Sequence, residues 1–488
     1  MKTLCLFLMV LLVAIFSVYA QPPDTLWTRT YGGSGNEVAF ALRHCSDGGY
    51  IMAGSTWSQP DSADFYVVRT NEIGDTIWTR TYGGSGDEFA RDIQQTSDGG
   101  YVIVGSTNSF GAACDNIYLV KTDNQGITQW TRNYGGVWYE DAYSVMQTPD
   151  NGYIIAGTTS SFGAGLDDFY LVKTDDQGDT LWTHTYGGVD NEQSRCLLQT
   201  SDGGYIVGGY TTSFVPYGWG MYLVKTDDQG DTLWTHVYSA PQEEADVLGA
   251  YAILQTSDSC YLIAGYALVP CMTADMLVIK TNSVGDTLWM RIYPNDGDEA
   301  AHDICPTDDG GYVLTGYNSA LYQDADVYLV KIDSLGNLVW SQTYGGDSDD
   351  EGHALFCAGN DSYVIAGCTS SFGAGGSDFY LISCGPEEPP SVPQGQGVVL
   401  PKTFILHTPY PNPFNATTVI TYEVPRSGLV RLTVHNLLGQ QVATIVDQTK
   451  NVGTHSATWN SGDFPSGIYF CRMSVPGFQS VRKMILIK

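Results

Sequence analysis

An acidic residue recurs along most of the chain, six residues after the tyrosine of a repeated Tyr-Gly-Gly turn wherever that turn is intact. The six acids are Glu37, Glu88, Glu140, Glu192, Glu299 and Asp350. If the fold brings these carboxylates to the mouth of one channel, they will raise one another's pKa values or attract a hard cation such as Ca²⁺. The alternative is structural, because a carboxylate can accept hydrogen bonds from backbone N–H groups of the neighbouring turn. The strict repetition favours this structural cap, and no other cofactor is expected.

Seven aromatic residues lie in the segments that vary most between the repeats. They are Trp57, Trp138, Tyr139, Phe214, Tyr217, Trp219 and Tyr322. Flat aromatic faces suit sugar rings and protein hot spots, but they also pack loops against each other, so both roles stay open. Variation on a constant scaffold is typical of binding loops, and these segments are therefore the expected ligand-binding surface.

The familiar sequence motifs of catalysis are absent: the chain has no G-x-S-x-G, no H-E-x-x-H and no phosphate-binding Gly-Lys loop. No catalytic residue is assigned, and non-catalytic binding of a glycan or a protein is the preferred function. A glycan-cleaving enzyme would need two carboxylates roughly 5 to 9.5 Å apart near a channel. Residues 240–246, with Glu243 and Glu244, break the repeat and are the place to look for them. A passive role in a surface layer is a third alternative.

Seven tryptophans recur at intervals of 51 to 55 residues, namely Trp27, Trp78, Trp130, Trp182, Trp234, Trp289 and Trp340. A fixed period of this length indicates a repeat architecture. Each repeat holds short runs rich in Tyr, Ile, Val, Thr and Trp, separated by Asp-Gly or Asp-x-x-Gly turns, which predicts a four-stranded antiparallel meander. We expect Trp182 to be buried in the core of its sheet. His184 and His236 occupy a position that holds Arg in other repeats, which favours a scaffold role for both.

The predicted strands are apolar on both faces, so a single sheet could not cover them. Seven sheets stacked radially bury one another, which is the β-propeller arrangement. The chain opens with a lone outer strand, Thr25 to Tyr31, and its seventh repeat stops after a third strand, Phe379 to Ser383. The opening strand is expected to complete the last sheet. The fold prediction is therefore an all-β, seven-bladed β-propeller over residues 21–384.

The two ends of the chain differ from the repeats. Lys2, the apolar run that follows and the small residues before Gln21 predict a cleaved signal peptide over residues 1–20. No later segment is apolar enough to cross a bilayer as a helix. Residues 385–400 form a Pro-rich linker, and the short alternating strands of residues 401–488 predict a small immunoglobulin-like β-sandwich. Charge supports this boundary, because residues 21–400 hold 13 Lys or Arg against 50 Asp or Glu, whereas residues 401–488 hold 8 against 3.

The formal net charge of −31 excludes a sequence-independent nucleic-acid binder, which needs Lys and Arg to displace counterions. Ten cysteines remain after signal cleavage, and export would permit disulfides. Cys260 and Cys271 lie within one repeat and could staple a loop. The cysteines near the inner strands are expected to be small, unpaired apolar side chains, namely Cys45, Cys196, Cys305 and Cys357.

The phrase from Asp175 to Trp182 resembles the tryptophan-docking turn of PQQ-type propeller repeats. It is also similar to the Asp-box of sialidases, although the spacing from Gly to Trp is one residue longer. Both resemblances concern the hairpin that holds a blade together. They imply the propeller fold and carry no chemistry.

The last eighty or so residues resemble the type A sorting domain of the type IX secretion system. The resemblance rests on the order and spacing of Tyr410, Pro411, Asn412, Pro413, Phe414, Asn415, Gly439, Gly467, Tyr469 and the closing run 483–488. It implies recognition by the outer-membrane translocon after passage through the periplasm, and a final location outside the cell or on its surface. An immunoglobulin-like end domain of the flagellar-hook-cap type shares part of this pattern and is the competing interpretation.

Overall fold

The computed structural model describes residues 22–487 apart from 58–61, 112–113, 217, 240–246, 269–272, 295–296, 321–323, 388–402, 408, 410–411, 413, 415–416, 451–452, 463 and 477. Every regular element in this described part is a β-strand. It follows that none of the described residues form a helix long and apolar enough to cross a membrane. The chain divides into two compact units, Met1–Ser391 and Val392–Lys488. The predicted signal peptide lies outside the described residues.

The described residues of the first unit form 28 strands. The opening strand and the first two repeats are β1 (Thr25–Tyr31), β2 (Glu37–His44), β3 (Tyr50–Thr56), β4 (Asp64–Thr70), β5 (Thr76–Tyr82), β6 (Glu88–Gln95), β7 (Tyr101–Thr107), β8 (Asn116–Thr122) and β9 (Thr128–Tyr134). The next two repeats are β10 (Glu140–Gln147), β11 (Tyr153–Thr159), β12 (Asp168–Thr174), β13 (Thr180–Tyr186), β14 (Glu192–Gln199), β15 (Tyr205–Thr211), β16 (Gly220–Thr226) and β17 (Thr232–Tyr238). The last three are β18 (Val247–Gln255), β19 (Tyr261–Leu268), β20 (Ala274–Thr281), β21 (Thr287–Tyr293), β22 (Gly297–Pro306), β23 (Tyr312–Ala320), β24 (Ala325–Ile332), β25 (Leu338–Tyr344), β26 (Asp350–Gly359), β27 (Ser362–Thr369) and β28 (Asp378–Cys384).

These strands form four-stranded antiparallel sheets in simple meander order, such as β2-β3-β4-β5 and β6-β7-β8-β9. The last sheet has the order β1-β28-β27-β26, so the opening strand pairs with the end of the repeat region, with Arg29 opposite Leu381. The inner strands contact their neighbours in sequence, from β2 to β6 and onward to β26, and β26 contacts β2. The all-β, propeller-type repeat fold predicted from the sequence is confirmed.

The turn between the third and outer strands is fixed by an Asp side chain. In the third repeat, Asp175 Oδ1 accepts hydrogen bonds from the N–H groups of Gln177 at 2.9 Å and Asp179 at 2.8 Å. Gly178 adopts a φ of 79°, a conformation that favours glycine. The Asp-x-x-Gly pattern of the sequence therefore encodes an Asx-type turn.

Consecutive sheets are joined by a tyrosine at the end of each outer strand. Tyr186 donates a hydrogen bond of 2.6 Å to the carbonyl oxygen of Gly230, which lies in the corresponding turn of the next sheet. Tyr31, Tyr82, Tyr134, Tyr238 and Tyr293 make the equivalent bond, and Tyr344 donates to the carbonyl of Pro23 beside β1. The repeated Tyr-Gly-Gly turn is thus an inter-sheet contact as well as a local one.

The prediction that Trp182 is buried in the blade core holds only in part, because this half-buried side chain packs against a core cluster without being enclosed by it. Among the seven repeated tryptophans only Trp340 is buried, at 5% exposure, and the others are half-buried like Trp182. The reason is that the outer strand is an edge strand with one face in solvent, and its Trp packs sideways. Trp182 lies beside the Gly230 turn of the next sheet, where a side chain on Gly230 would collide with the indole.

We predict that Tyr186→Phe will lower the free energy of unfolding by about 1–3 kcal/mol, because the buried Gly230 carbonyl loses its donor. Urea denaturation of the purified chain measures this loss. Tyr139→Phe is the matched control, because Tyr139 is 60% exposed. Equal stability of the two variants would show that the Tyr186 hydroxyl does not hold neighbouring sheets together.

The structure also corrects the assignment of two cysteines. Cys305 on β22 and Cys357 on β26 form a disulfide, with Cα atoms 6.2 Å apart, instead of remaining unpaired. This pairing was not predictable from the sequence, because the partners are 52 residues apart and meet only when neighbouring inner strands pack. Cys45 and Cys196 are buried thiols, as expected. Cys271, the suggested partner of Cys260, lies outside the described residues.

In the part of the second unit that the structure describes there are seven strands: β29 (Ile405–Leu406), β30 (Thr417–Val424), β31 (Gly428–His435), β32 (Gln441–Lys450), β33 (Gly453–Asn460), β34 (Gly467–Val475) and β35 (Phe478–Leu486). They form two sheets, β29-β30-β33 and β32-β31-β34-β35. Alternate residues of β30, β31 and β34 are buried, and their side chains build one core around Tyr422, Leu432 and Trp459. The alternation recognised in the sequence is therefore that of a two-sheet β domain.

Candidate functional site

The inner strands of all seven sheets in the first unit line a cavity of about 740 Å³. It extends along these strands from Glu351, the second residue of β26, to Arg43, near the end of β2. This volume is typical of sites for small ligands. The cavity is the centre of the propeller, where unlike residues from every repeat converge.

Each inner strand delivers one side chain to this cavity through an irregularity in its pairing. In each sheet, one residue of the inner strand has no partner on the adjacent second strand. These unpaired residues are Phe40, Arg91, Tyr143, Arg195, Tyr251, His302 and His353. All seven line the cavity. A β-bulge re-aims a side chain, which explains how a strand that packs on both faces can also present a polar group to the centre.

The seven bulge residues, here called the channel ring, contact one another around the cavity. The Arg91 guanidinium carbon lies 4.8 Å from the ring centre of Phe40 and 5.4 Å from that of Tyr143. Arg195 lies 4.2 Å from the ring centre of Tyr143 on its other side. Both arginines are thus held by cation–π contacts, which fix the direction of the guanidinium groups.

The other half of the channel ring is built from imidazoles. His302 and His353 stack with ring centres 4.8 Å apart, and their Nδ1 atoms are separated by 3.0 Å. Tyr251 meets His302 edge-on at 5.1 Å, and Phe40 contacts His353 at 5.1 Å. Burial lowers the pKa of His302 to about 4. Burial also lowers the pKa of His353, and repulsion from the positive charges that His302 and Arg91 can carry lowers it further. Both imidazoles are therefore neutral at pH 7.

A second layer of polar residues supports the channel ring. Asp92 accepts hydrogen bonds from Arg43 at 2.7 Å, from the Ser144 hydroxyl at 3.0 Å and from the backbone of Val145 at 3.0 Å. Asp303 holds the matching position in the sixth repeat and accepts a bond from the backbone of Leu355 at 2.8 Å. Burial raises the pKa of Asp303 to about 6. These carboxylates fasten adjacent inner strands together.

The Lys and Arg residues of the propeller that do not occupy a repeated scaffold position lie in the cavity. Ten of the 13 Lys and Arg in residues 21–400 occupy two scaffold positions. Four arginines lie over the outer-strand tryptophans, and the other six cations form ion pairs beside the hairpins, namely Arg29, Arg80, Arg132 and Arg291, then Arg69, Lys121, Lys173, Lys225, Lys280 and Lys331. The remaining three, Arg43, Arg91 and Arg195, all line the cavity. The cavity also holds Asp92, Asp303 and Glu351, so its centre carries charges of both signs, with Arg43 paired to Asp92.

The repeated acids are buried at the start of the inner strands. Glu37, Glu88, Glu140, Glu192, Glu299 and Asp350 have 0% exposure. Four of the glutamates accept a hydrogen bond of 2.5–2.8 Å from a Thr hydroxyl and one of 2.6–2.8 Å from a Gly N–H of the preceding turn. This is the geometry that the structural-cap hypothesis requires. Calcium binding at these carboxylates stays a prediction.

Five of the seven predicted aromatic ligand residues lie in the described part of the chain and are partly exposed. Trp219 is 42% exposed and stacks on Tyr210 with ring centres 4.7 Å apart, and Tyr210 in turn lies 6.0 Å from the Arg195 guanidinium. Trp57 is 40% exposed and packs against Phe89. Trp138 and Tyr139 are exposed at 59% and 60%. Tyr217 and Tyr322 lie outside the described residues, as do Glu243 and Glu244.

Phe214 has a repeated counterpart that favours a packing role. Its ring lies 5.3 Å from that of Tyr222 in the same sheet. Phe110, Phe162 and Phe372 make the same contact with their own tyrosines. Among the described candidates, Trp219 is the one that a chain of ring contacts connects to the channel ring.

Sequence reasoning missed the channel ring entirely. The signal was present: in each repeat the bulge residue follows a small residue, namely Ala39, Ala90, Ala142, Ser194, Ala250, Ala301 and Gly352. Its chemical type changes from repeat to repeat, from Phe through Arg and Tyr to His. Without the register shift, however, strand alternation does not show that this residue faces the centre.

The sorting-motif residues in the second unit tie the start of the domain to its last strand. The Asn412 side chain donates to the carbonyl of Lys483 at 2.8 Å and accepts from the N–H of Ile485 at 2.8 Å, while Phe414 bonds to Ile485 and Ile487 through its backbone. Tyr469 donates to the carbonyl of Pro465 at 2.8 Å, and Gly439 turns with a φ of 78°. Gly467 begins β34, whereas Tyr410, Pro411, Pro413 and Asn415 lie outside the described residues.

Comparison with protein families decides the role of this unit. Residues 408–488 match the family model of the secretion system C-terminal sorting domain. The chain ends in a sorting domain. The protein is therefore a type IX secretion cargo that acts at the cell surface or outside the cell.

No curated protein matches the chain. Solved structures with a similar backbone course include a protein of unknown function from Dyadobacter fermentans. It has 10% identity and a TM-score of 0.43, and the match covers 74% of this chain and 98% of that chain. An ulvan lyase is 12% identical with a TM-score of 0.48, covering 74% and 97%, respectively. An α-L-arabinanase from Penicillium chrysogenum is 11% identical with a TM-score of 0.40, covering 60% and 91%. At these values the likenesses carry no conclusion about activity.

Proposed function

We propose that this exported propeller is a non-catalytic binding protein whose central cavity takes an acidic glycan, with uronic-acid carboxylates held by Arg91 and Arg195. The observation that carries the proposal is the channel ring, which combines two guanidinium groups with aromatic faces in one cavity. The proposal refines the general expectation of glycan or protein binding. It also moves the main site from the variable loops to the inner strands.

An anionic ligand suits the two arginines because neither has a strong carboxylate partner among the described residues. The closest acid to Arg91 is Asp141 at 3.9 Å, and the buried Arg91 Nε has no hydrogen-bond acceptor in the described structure. Arg195 bonds the Gln193 side-chain oxygen at 3.1 Å and forms no ion pair within the described ranges. Guanidinium groups with unused donors favour bidentate binding of a carboxylate or sulfate.

A sugar ring suits the surfaces beside these arginines. Tyr143 lies between the two guanidinium groups, and Tyr251 continues the channel ring beyond Arg195. The stacked pair of Trp219 and Tyr210 extends from the exposed surface to Arg195. Aromatic faces with polar edges bind sugar rings well. A protein partner is less suited to this site, because protein interfaces need a broad patch rather than a cavity of about 740 Å³.

We predict that Arg195→Ala weakens the binding of an oligogalacturonate about 100-fold, because a largely buried charge pair is lost. Isothermal titration of the purified full chain, with a neutral galacto-oligosaccharide of equal length as the comparison ligand, measures this effect. Arg80→Ala is the matched control, because Arg80 lies over Trp78 on an outer strand. Arg195→Lys keeps the charge but loses the planar fork, so it should fall between the two.

The same titration separates the alternatives. Equal binding of acidic and neutral oligosaccharides, or no loss in Arg195→Ala, would contradict an acidic-glycan site. Release of shorter oligosaccharides during incubation would instead favour the glycan-cleaving alternative, for which Glu351 lines the cavity with a pKa raised by burial and by Asp349. Absence of binding to any glycan would leave the passive surface role.

A further inference from the structure

Three side chains of different ligand type converge in the seventh sheet. Glu351 and His353 lie on β26, and Cys368 lies on β27 directly opposite Glu351 in the antiparallel register. One ligand atom from each side chain lies within 4.8 Å of the others. Because both strands are paired at this point, the three groups are held together by the sheet itself.

The distances around His353 match those of a tetrahedral zinc site. His353 Nε2 lies 3.4 Å from a Glu351 carboxylate oxygen and 3.9 Å from the Cys368 sulfur. Zinc bonds of about 2.0–2.1 Å to N and O and about 2.3 Å to S place N and O roughly 3.3 Å apart and N and S roughly 3.6 Å apart. A single ion can therefore bind all three atoms with small side-chain movements.

The remaining ring nitrogen of His353 faces a second imidazole. His353 Nδ1 lies 3.0 Å from Nδ1 of His302 in the neighbouring sheet, and that His302 atom also lies 3.0 Å from the carbonyl oxygen of Gly352. Because a carbonyl oxygen only accepts, the contact with Gly352 assigns the proton to His302 Nδ1 and makes His353 Nδ1 the acceptor. Zinc on His353 Nε2 reverses this bond, since a ligating His353 donates its Nδ1–H and His302 must then carry its proton on Nε2.

The combination occurs in only one described repeat. At the three equivalent positions the first repeat has Val38, Phe40 and Ser55, and the sixth has Ala300, His302 and Tyr317. Seven copies of one scaffold thus carry a single set of carboxylate, imidazole and thiol.

We propose that Glu351, His353 and Cys368 bind one Zn²⁺ ion at the wall of the central cavity. Imidazole and thiolate ligands select zinc over Ca²⁺ or Mg²⁺, and three protein ligands leave a fourth position for water or an external group. Glu351 and His353 both line the cavity, so the ion faces its contents. The site goes beyond the proposed glycan binding and stands without it.

The test is metal binding by the untagged full chain. After metal removal, Co²⁺ titration should give one equivalent bound, with a thiolate-to-cobalt charge-transfer band and tetrahedral visible bands, and competing Zn²⁺ should abolish them. Cys368→Ser should lose the charge-transfer band and bind Zn²⁺ at least about 100-fold more weakly, while His302→Ala should lower the affinity roughly 10- to 100-fold and keep the band. Cys196→Ser is the control, because Cys196 is a buried thiol that also borders the cavity.

Each outcome decides the proposal. No band in the wild-type chain, or an unchanged band in Cys368→Ser, would overturn it. Circular dichroism of each variant shows whether a loss of binding comes from loss of the fold. Arg195→Ala should bind zinc like the wild-type chain, so failure of the glycan proposal and failure of the zinc proposal give different results.

Discussion

A chain that ends at residue 407 should fold but remain in the periplasm, whereas the full chain is recovered at the cell surface or in the medium. Residues 408–488 match the sorting-domain family, and this unit has its own hydrophobic core. None of the described core clusters of the propeller includes a residue from beyond Cys384. Removing the domain therefore takes away the export signal and leaves every residue of these core clusters in the chain.

Cell fractionation followed by immunoblotting measures where the shortened chain accumulates, and thermal unfolding shows whether it is folded. The melting temperature of the propeller transition should match that of the full chain. A full-length Arg80→Ala variant, altered only on the propeller, should still be exported. Export of the shortened chain would show that the propeller itself carries a secretion signal, and its degradation in the periplasm would show that the two units depend on each other.

The hydrogen bonds of Asn412 show how the sorting motif contributes to the fold of the domain. Asn412 bonds both Lys483 and Ile485, so it connects the first described part of the sorting motif to the last strand. The sequence motif had no evident reason for an Asn at this point. The structure supplies one, since a side-chain amide can act as donor and acceptor to a strand edge at the same time.

The repeat made most of the propeller predictable from the sequence. Asp175, Gly178 and Trp182 mark one turn, and their counterparts recur, so strand number and order followed from local turn chemistry. The pairing of β1 with β28 was also open to prediction, because a lone first strand and a missing last strand complement each other. These features depend on residues close together in the chain or on simple counting.

The channel ring was not predictable by the same reasoning. Arg91 and Arg195 reach the cavity because a bulge shifts the register of each inner strand by one residue. A prediction from strand alternation does not include this shift, so it cannot assign these residues to the correct face. The Cys305–Cys357 disulfide and the cluster around His353 depend on contacts between strands far apart in sequence. Repeat analysis detects the residues that the copies share, whereas the channel ring and the cluster around His353 consist of residues that differ between the copies.

Glu140→Ala should lower the free energy of unfolding by roughly 3–5 kcal/mol, because buried donors lose a charged acceptor. Glu140 is fully buried, and its carboxylate accepts from the Thr159 hydroxyl at 2.8 Å, the Gly136 N–H at 2.8 Å and the Ser161 N–H at 3.2 Å. Glu140→Gln should cost less, since the amide keeps one acceptor but turns an NH₂ group toward a donor. Urea denaturation measures both variants, and the exposed Glu72→Ala serves as the control.

The same variants test whether the buried acids hold Ca²⁺. If the carboxylate is a structural cap, adding Ca²⁺ to metal-free wild-type protein will leave its melting temperature unchanged, and Glu140→Ala will be destabilised equally with and without the ion. If the acids bind calcium, the ion will stabilise the wild-type chain in proportion to its saturation and will stabilise Glu140→Ala less. The hydrogen bonds from Thr159 and Gly136 already occupy both carboxylate oxygens, one on each, so we expect the first result.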